Sequence, residues 1–222
     1  MMTNRISVAI DGPAGAGKST VARQVASALG YTYVDTGAMY RAMAWAVVDA
    51  GIAPSDSAAV CGLAERIEIR LERDRVYADE TEISDKIRTP AISNLTSPLS
   101  ALPCVRTRLA ALQREMGRRG GVVMEGRDIG TVVLPNAEVK VFLTASQAER
   151  VRRRREELGA SGIELSTAQL EQDIAARDAR DASRDVAPMV PAGDAILLQS
   201  DGLDVEQVVS RILEFCKAKL DT

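Results

Sequence analysis

The chain has 222 residues, 28 Lys+Arg against 31 Asp+Glu, a net charge of −3 and no histidine. Without histidine there is no Ser-His or Cys-His nucleophile pair, no His-ligated zinc and no imidazole proton shuttle. With 3% aromatic residues and a pI near 5.3, neither base stacking nor general attraction to nucleic acid is expected.

Taken in chain order, Ile6 to Ile10 is a short apolar run ending at Asp11-Gly12-Pro13. A helical pattern then runs from Lys18 to Leu29 and stops at Gly30. Tyr31 to Val34 reads as a strand, and Gly37 to Ala50 as a helix stopped by Gly51. From about 65 to 89, apolar and charged residues alternate in three stretches, which predicts a small antiparallel β insertion. Asn94 to Pro103 is Ser/Pro-rich and reads as a loop; Val105 to Arg119 is an amphipathic helix ended by two glycines. "VVME" and "VKVFLTA" read as sheet strands, Ala148 to Leu158 as a charged helix, and 159–166 as a loop. Thr167 to about Asp185 is a second charged helix, followed by the strand "AILLQS" and a helix over Val205 to Leu220. Strands alternating with helices predict an α/β fold with a mainly parallel sheet.

We read residues 1–222 as one domain with three sub-regions. Residues 1–35, 101–148 and 186–222 form the core, 36–100 an acceptor region with the β insertion, and 149–185 a short helical lid. The chain is 46% apolar, but no run approaches the roughly 20 residues that span a bilayer. A strand pattern begins almost at once, without the pattern of a signal peptide. Cys61, Cys104 and Cys216 are odd in number and far apart. They suggest neither a metal site nor a disulfide framework, which fits a reducing compartment. A soluble cytoplasmic protein without a membrane or nucleic-acid partner is expected.

The sharpest motif is Gly12-Pro13-Ala14-Gly15-Ala16-Gly17-Lys18-Ser19, a full G-x-x-x-x-G-K-[ST] between a strand and a helix. Its glycines let backbone amides converge on phosphate oxygens, and the new helix adds the positive end of its dipole. Lys18 suits β- and γ-phosphates, and the Ser19 hydroxyl suits Mg²⁺. No N-K-x-D motif points to a GTPase, and "VVME" leads into Gly126-Arg127-Asp128 rather than a motor-type Asp-Glu pair.

Four further segments bear on a second phosphate compound. Thr36, at the second strand–helix junction, can hold an anion with Arg41 one turn on, or simply cap the helix. Gly126 to Gly130 is a shaped loop at another strand end, or a surface turn with a charge pair. Arg150, Arg152, Arg153, Arg154 and Arg155 surround their helix, so many are exposed or paired with Glu149, Glu156 and Glu157. Arg177, Arg180 and Arg184 share a stripe beside Asp178, Asp181 and Asp185. That stripe is either a salt-bridged exposed face or an arginine comb over transferring phosphates.

In this order, "IDGPAGAGKST", "YVDTGAMYRA", "EGRDIGTVVLP", "FLTAS…ER…RRRR" and "RDARDASRDVAPMVPA" resemble bacterial cytidylate kinases, of the nucleoside-monophosphate kinase group of P-loop kinases. The resemblance covers about residues 5 to 215. It implies phosphoryl transfer from ATP, with Mg²⁺, to CMP or dCMP in pyrimidine nucleotide metabolism; separately, a monomer is expected. It places ATP phosphates on Gly12 to Thr20, and the acceptor on Thr36, Tyr40 and Arg41. It makes Ser97, Arg106 and Asp128 the cytosine readers, Arg127 and Arg184 holders of the acceptor phosphate, and Arg177 and Asp181 ribose-side residues. It assigns Arg150, Arg153 and Arg154 to the lid. Lys18, Arg127, Arg153, Arg154 and Arg184 then form the catalytic set. Thr36 replaces the family's frequent Ser and Glu125 its frequent Asp; both keep the functional group. A kinase for another small acceptor and a non-kinase ATP-binding switch are the alternatives. Ser200-Asp201-Gly202 is a candidate for the adenine side.

Overall fold

The computed structural model describes residues 5–73, 75–160, 162 and 165–221. The chain forms two compact units. One comprises residues up to Tyr33 together with those from Arg119 onward; the other is Val34–Arg118.

In the first unit, strands β1 (Ser7–Asp11), β6 (Val122–Gly126), β7 (Val139–Thr144) and β8 (Ile196–Gln199) pair in parallel. With β2 (Thr32–Asp35) at the edge, the sheet order is β2-β6-β1-β7-β8. Val8, Ile10, Val123, Val141 and Leu143 are apolar on neighbouring strands and are at most 1% exposed. A central parallel sheet covered on both faces requires such runs. Helix α1 (Lys18–Leu29) covers it with Val21 and Val25, and α8 (Val205–Leu220) with Val208 and Ile212. Helices α6 (Gln147–Ala160) and α7 (Thr167–Ala182) share a small cluster of Val151, Leu158, Leu170 and Ile174. The loop expected at 159–166 contains residues 161, 163 and 164, which lie outside the described residues.

The second unit holds α2 (Thr36–Asp49), α3 (Ser57–Arg66), α4 (Pro90–Leu99) and α5 (Pro103–Gly117). It also holds the antiparallel sheet of β3 (Ile69–Glu72), β4 (Arg75–Ala78) and β5 (Thr81–Glu82). This sheet is the expected β insertion. Its core is Met39, Met43 and Val47 against Val60, Ile83, Ile87, Val105 and Leu109.

Four differences from the sequence reading have physical causes. The stretch Asn94–Pro103 lies largely in helix α4 rather than a loop. Pro90 occupies a first-turn position, where no amide partner is needed, and Thr89 caps the end by accepting the Ile92 amide. Thr96 turns its hydroxyl back to the Ile92 carbonyl at 2.7 Å, so a polar residue fits inside. Helix α3, left unassigned from sequence, starts at the Asp56 cap and buries Val60, Leu63 and Ala64. Helix α5, placed with the core from sequence, belongs to the second unit, because Val105 and Leu109 pack there.

The fourth difference concerns sulfur. Cys61 on α3 and Cys104 on α5 form a disulfide with a Cα–Cα distance of 5.6 Å. They are 43 residues apart in sequence, but both helices pack in one unit. The expectation that the three cysteines form no disulfide is therefore corrected at this pair. Cys216, buried on α8, is the free thiol. No helix among the described residues is long and apolar enough to cross a membrane.

Candidate active site

The strand–loop–helix from Asp11 to Ser19 forms as the motif requires. Gly12 has φ +144°, and a Cβ there would lie 2.0 Å from the Leu143 carbonyl oxygen. No other residue fits that turn without moving β7. Gly17 caps α1 in the left-handed region at φ 89°, where an L side chain is strained. Lys18 is 6% exposed, and its ammonium donates to the Pro13 carbonyl at 2.7 Å. Burial, then Arg127, pulls its basicity well below the usual lysine range. Arg177 adds to that shift, while Glu125 and Asp11 oppose it. Ser19 and Thr20 are exposed on the first turn of α1.

The segment after β6 meets the end of α7. Asp181 is 2% exposed. It accepts from Arg127 Nε at 2.9 Å and from an Arg184 guanidinium nitrogen. Burial pushes its carboxyl up, but Arg127, Arg184 and Arg177 outweigh that and hold it below the ordinary carboxylate range. The stripe, read either as an exposed salt-bridged face or as an arginine comb, is therefore divided. Asp181 is inside, whereas Arg180 is exposed and bonds to its own helix at the Ala176 carbonyl. Asp128 is 4% exposed, directly before a π-helical turn at Ile129–Val133. Glu125, 4% exposed, accepts from the Tyr33 hydroxyl.

Two of the arginines expected in the lid reach the phosphate loop. Arg150 donates to the Ala14 carbonyl at 3.1 Å and to Asp178. Asp178 in turn accepts the Ala14 amide at 3.2 Å. Arg153 bonds the Ala16 carbonyl at 3.1 Å and also the Ser200 hydroxyl and carbonyl. Ser200 lies in the segment read as an adenine-side candidate. Arg154 is not brought to the loop; it pairs with Glu157 three residues on along its own helix. Arg152 likewise spans Glu149 and Glu156 on the surface.

In the second unit, Asp35 rather than Thr36 caps α2, accepting the Ala38 amide at 2.8 Å. This leaves Thr36, 3% exposed, a role other than the cap. Arg41 pairs with Asp35 at 3.0 Å. Arg106, 4% exposed on the first turn of α5, donates to the Ser100 carbonyl at 3.2 Å. Its guanidinium lies over the Tyr40 ring, 5.7 Å from the centroid. The Ser97 side chain is buried at 6% exposure, and its hydroxyl has no hydrogen-bond partner among the described residues. A buried hydroxyl left without a partner costs about 1–3 kcal/mol.

From sequence, Asp11 and Asp35 are named only within their motif segments, and Asp178 only as part of the acidic stripe, none of them with a site role. For Asp11, a carboxylate at the last position of a buried strand beside a phosphate loop was the available signal. For Asp178 it was the helical spacing to Asp181. Both signals are shared by ordinary caps and surface charges.

The phosphate loop opening α1, the parallel sheet that carries it and the cationic groups beside Lys18 define a P-loop phosphotransferase. The profile of the cytidylate kinase family matches residues 8–218, and the chain belongs to that family. It is 49% identical over 224 residues to a cytidylate kinase of Desulfitobacterium hafniense, covering 100% of this chain and 97% of the relative. It is 51% identical over 209 residues to a cytidylate kinase of Geobacter sulfurreducens, covering 92% and 90%. It is 52% identical over 217 residues to a bifunctional pantoate ligase/cytidylate kinase of Synechocystis, covering 95% of this chain and 42% of that protein. Among solved structures, an uncharacterised protein of Eubacterium ventriosum shares the fold, with a TM-score of 0.54 at 13% identity and coverage of 97% and 99%.

Proposed function

We propose that the chain transfers the γ-phosphoryl group of ATP to CMP or dCMP, giving ADP and the corresponding diphosphate. The observation that carries the reading is the formed phosphate loop, with Lys18 buried in it and Arg150 and Arg153 hydrogen-bonded to its Ala14 and Ala16 carbonyls. Like charges gathered this way are stabilised by a polyphosphate. Family membership supplies the acceptor class.

In the transfer, the bond from the γ-phosphorus to the β–γ bridging oxygen breaks and its electron pair stays on ADP. An oxygen of the CMP phosphate forms the new bond. That oxygen is already anionic, so the absence of histidine from the chain costs the reaction nothing. Catalysis is positioning and charge stabilisation. The amides from Gly12 to Thr20 hold the ATP phosphates, and Lys18 follows the transferring group. Arg127, Arg184 and the lid residues Arg150 and Arg153 balance its charge, with Arg154 joining on closure. Ser19 would hold Mg²⁺, which retains water and phosphate ligands more readily than it fills a protein cage. When bound, Mg²⁺ neutralises charge on the phosphate oxygens.

Thr36, Tyr40 and Arg41 take the acceptor phosphate side, and Arg177 and Asp181 the ribose side. Ser97, Arg106 and Asp128 read the base. The orphan Ser97 hydroxyl supports this assignment. An Asp128 carboxylate accepts from the cytosine amino group but meets an unpaired oxygen on uracil. All these residues come from one chain, so the reading needs no partner subunit. Asp128→Ala should therefore lower kcat/KM for CMP by about tenfold or more while changing UMP little, since a lost polar partner costs 1–3 kcal/mol. Equal losses on both acceptors in steady-state assays would contradict the base-reading assignment.

A further inference from the structure

Asp11 is the last residue of β1 and is outside the phosphate-loop motif, which begins at Gly12. The parallel register sets it beside Gly126, where the Arg127–Asp128 segment starts. Its carboxylate then reaches past that segment. One oxygen accepts the Ile129 amide at 2.8 Å and the other the Gly130 amide at 2.7 Å. The side chain is 5% exposed. The fit is close: a Cβ on Gly130 would lie 3.4 Å from Asp11 Oδ2 and 3.3 Å from the Lys140 Cδ. Arg127 and Asp128 are thus pinned to β1 at both ends, by sheet register before them and by one carboxylate after them. The π-helical turn that follows is a rare geometry, concentrated at functional sites.

We propose that Asp11 is a positioning residue for the acceptor side of the reaction, holding the Gly126–Gly130 loop so that Arg127 and Asp128 meet CMP at the required angle. Asp11 itself touches no substrate. The kinetic part of this inference rests on the function proposed above; the loop-holding part does not.

The charge state bears on the idea. Burial raises the Asp11 carboxyl to about 6, against the two amides, with Asp128 adding to the rise and Lys18 opposing it. Those are the charged groups that face it; Lys140 approaches the same turn through its aliphatic stem. A protonated Asp11 would aim an O–H at an N–H and lose one of the two bonds.

Asp11→Asn is the test, because it keeps the shape and removes the buried charge. The expected variant folds with an unchanged or higher Tm at neutral pH. Its KM for CMP rises about tenfold, the size expected for a lost charge-assisted bond, while its KM for ATP stays within about twofold. Hydrogen exchange should show the Ile129 and Gly130 amides losing protection while β7 keeps its own. Substrate phosphates also titrate near pH 6, so the kinetic pH profile is read as the ratio of wild type to variant, which should fall towards one below about pH 6. In the wild type alone, intrinsic-rate-corrected protection of the same two amides should weaken below that pH. If wild type fails to phosphorylate CMP, the function proposed above fails, and the exchange data still decide whether Asp11 holds the loop. Unchanged protection at Ile129 and Gly130 would overturn the proposal. So would equal increases in both KM values with a lowered Tm.

Discussion

At Asp181 a single buried carboxylate faces Arg127, Arg184 and Arg177, which hold its carboxyl below the ordinary carboxylate range despite burial. A carboxyl lowered on folding contributes stability that is present above its unfolded value near 4. That contribution is lost as pH falls through the folded value. Asp181→Asn leaves two guanidinium groups short of their partner. It should destabilise the protein by about 3 kcal/mol, in line with broken buried pairs. In urea unfolding, the difference from wild type should be constant from pH 5 to 8 and shrink below pH 4. A difference that persists undiminished at pH 2–3 would contradict the charge account. Sequence alone places Asp181 on a stripe with Asp178 and Asp185. It cannot separate them, because helical spacing does not say which face the rest of the unit covers. Arg180 and Arg184 illustrate this: one is exposed on α7, the other 8% exposed against Asp181.

Among the elements, the phosphate loop was legible in full. Its chemistry depends on local backbone, glycine and one lysine in a fixed spacing, so eight consecutive residues carry it. Helices α3 and α4 were not legible. Their caps, Asp56 and Thr89, look like loop residues until tertiary packing buries Val60, Ile92 and Leu99. The Cys61–Cys104 bond was hidden for the same reason, since nothing in the chain order brings α3 to α5. It closes a loop of 43 residues, and the chain-entropy account gives such a link about 2–4 kcal/mol. Cys61→Ser, or a dithiol reductant, should therefore lower the thermal midpoint of the protein, read by calorimetry. An unchanged midpoint in both would mean that the link adds nothing to stability.

Across the whole molecule, two buried carboxylates set opposite pH trends. Asp11, raised to about 6, contributes its stability below its unfolded value near 4 and loses it as pH rises through 6. About two pKa units correspond to about 3 kcal/mol. At neutral pH the charge of Asp11 is thus held at a cost in stability, as expected of a group kept for function. The same division appears in the arginines. Those at 150, 153, 127 and 184 are tied to the phosphate loop or to Asp181, while Arg152 and Arg154 form surface pairs. Arginine supplies 23 of the 28 basic residues, and its allocation is set by tertiary structure. The central claim is transfer from ATP to a cytosine monophosphate, and ADP release with Mg-ATP and a panel of CMP, dCMP, UMP, AMP and GMP tests it most directly. Rapid ADP formation is expected with CMP and dCMP, weak formation with UMP, and none with the purines. Lys18→Ala should lower the CMP rate by about 10²–10³-fold, the loss typical of a transition-state charge partner. Release that is independent of acceptor, or greatest with a purine monophosphate, would contradict the account.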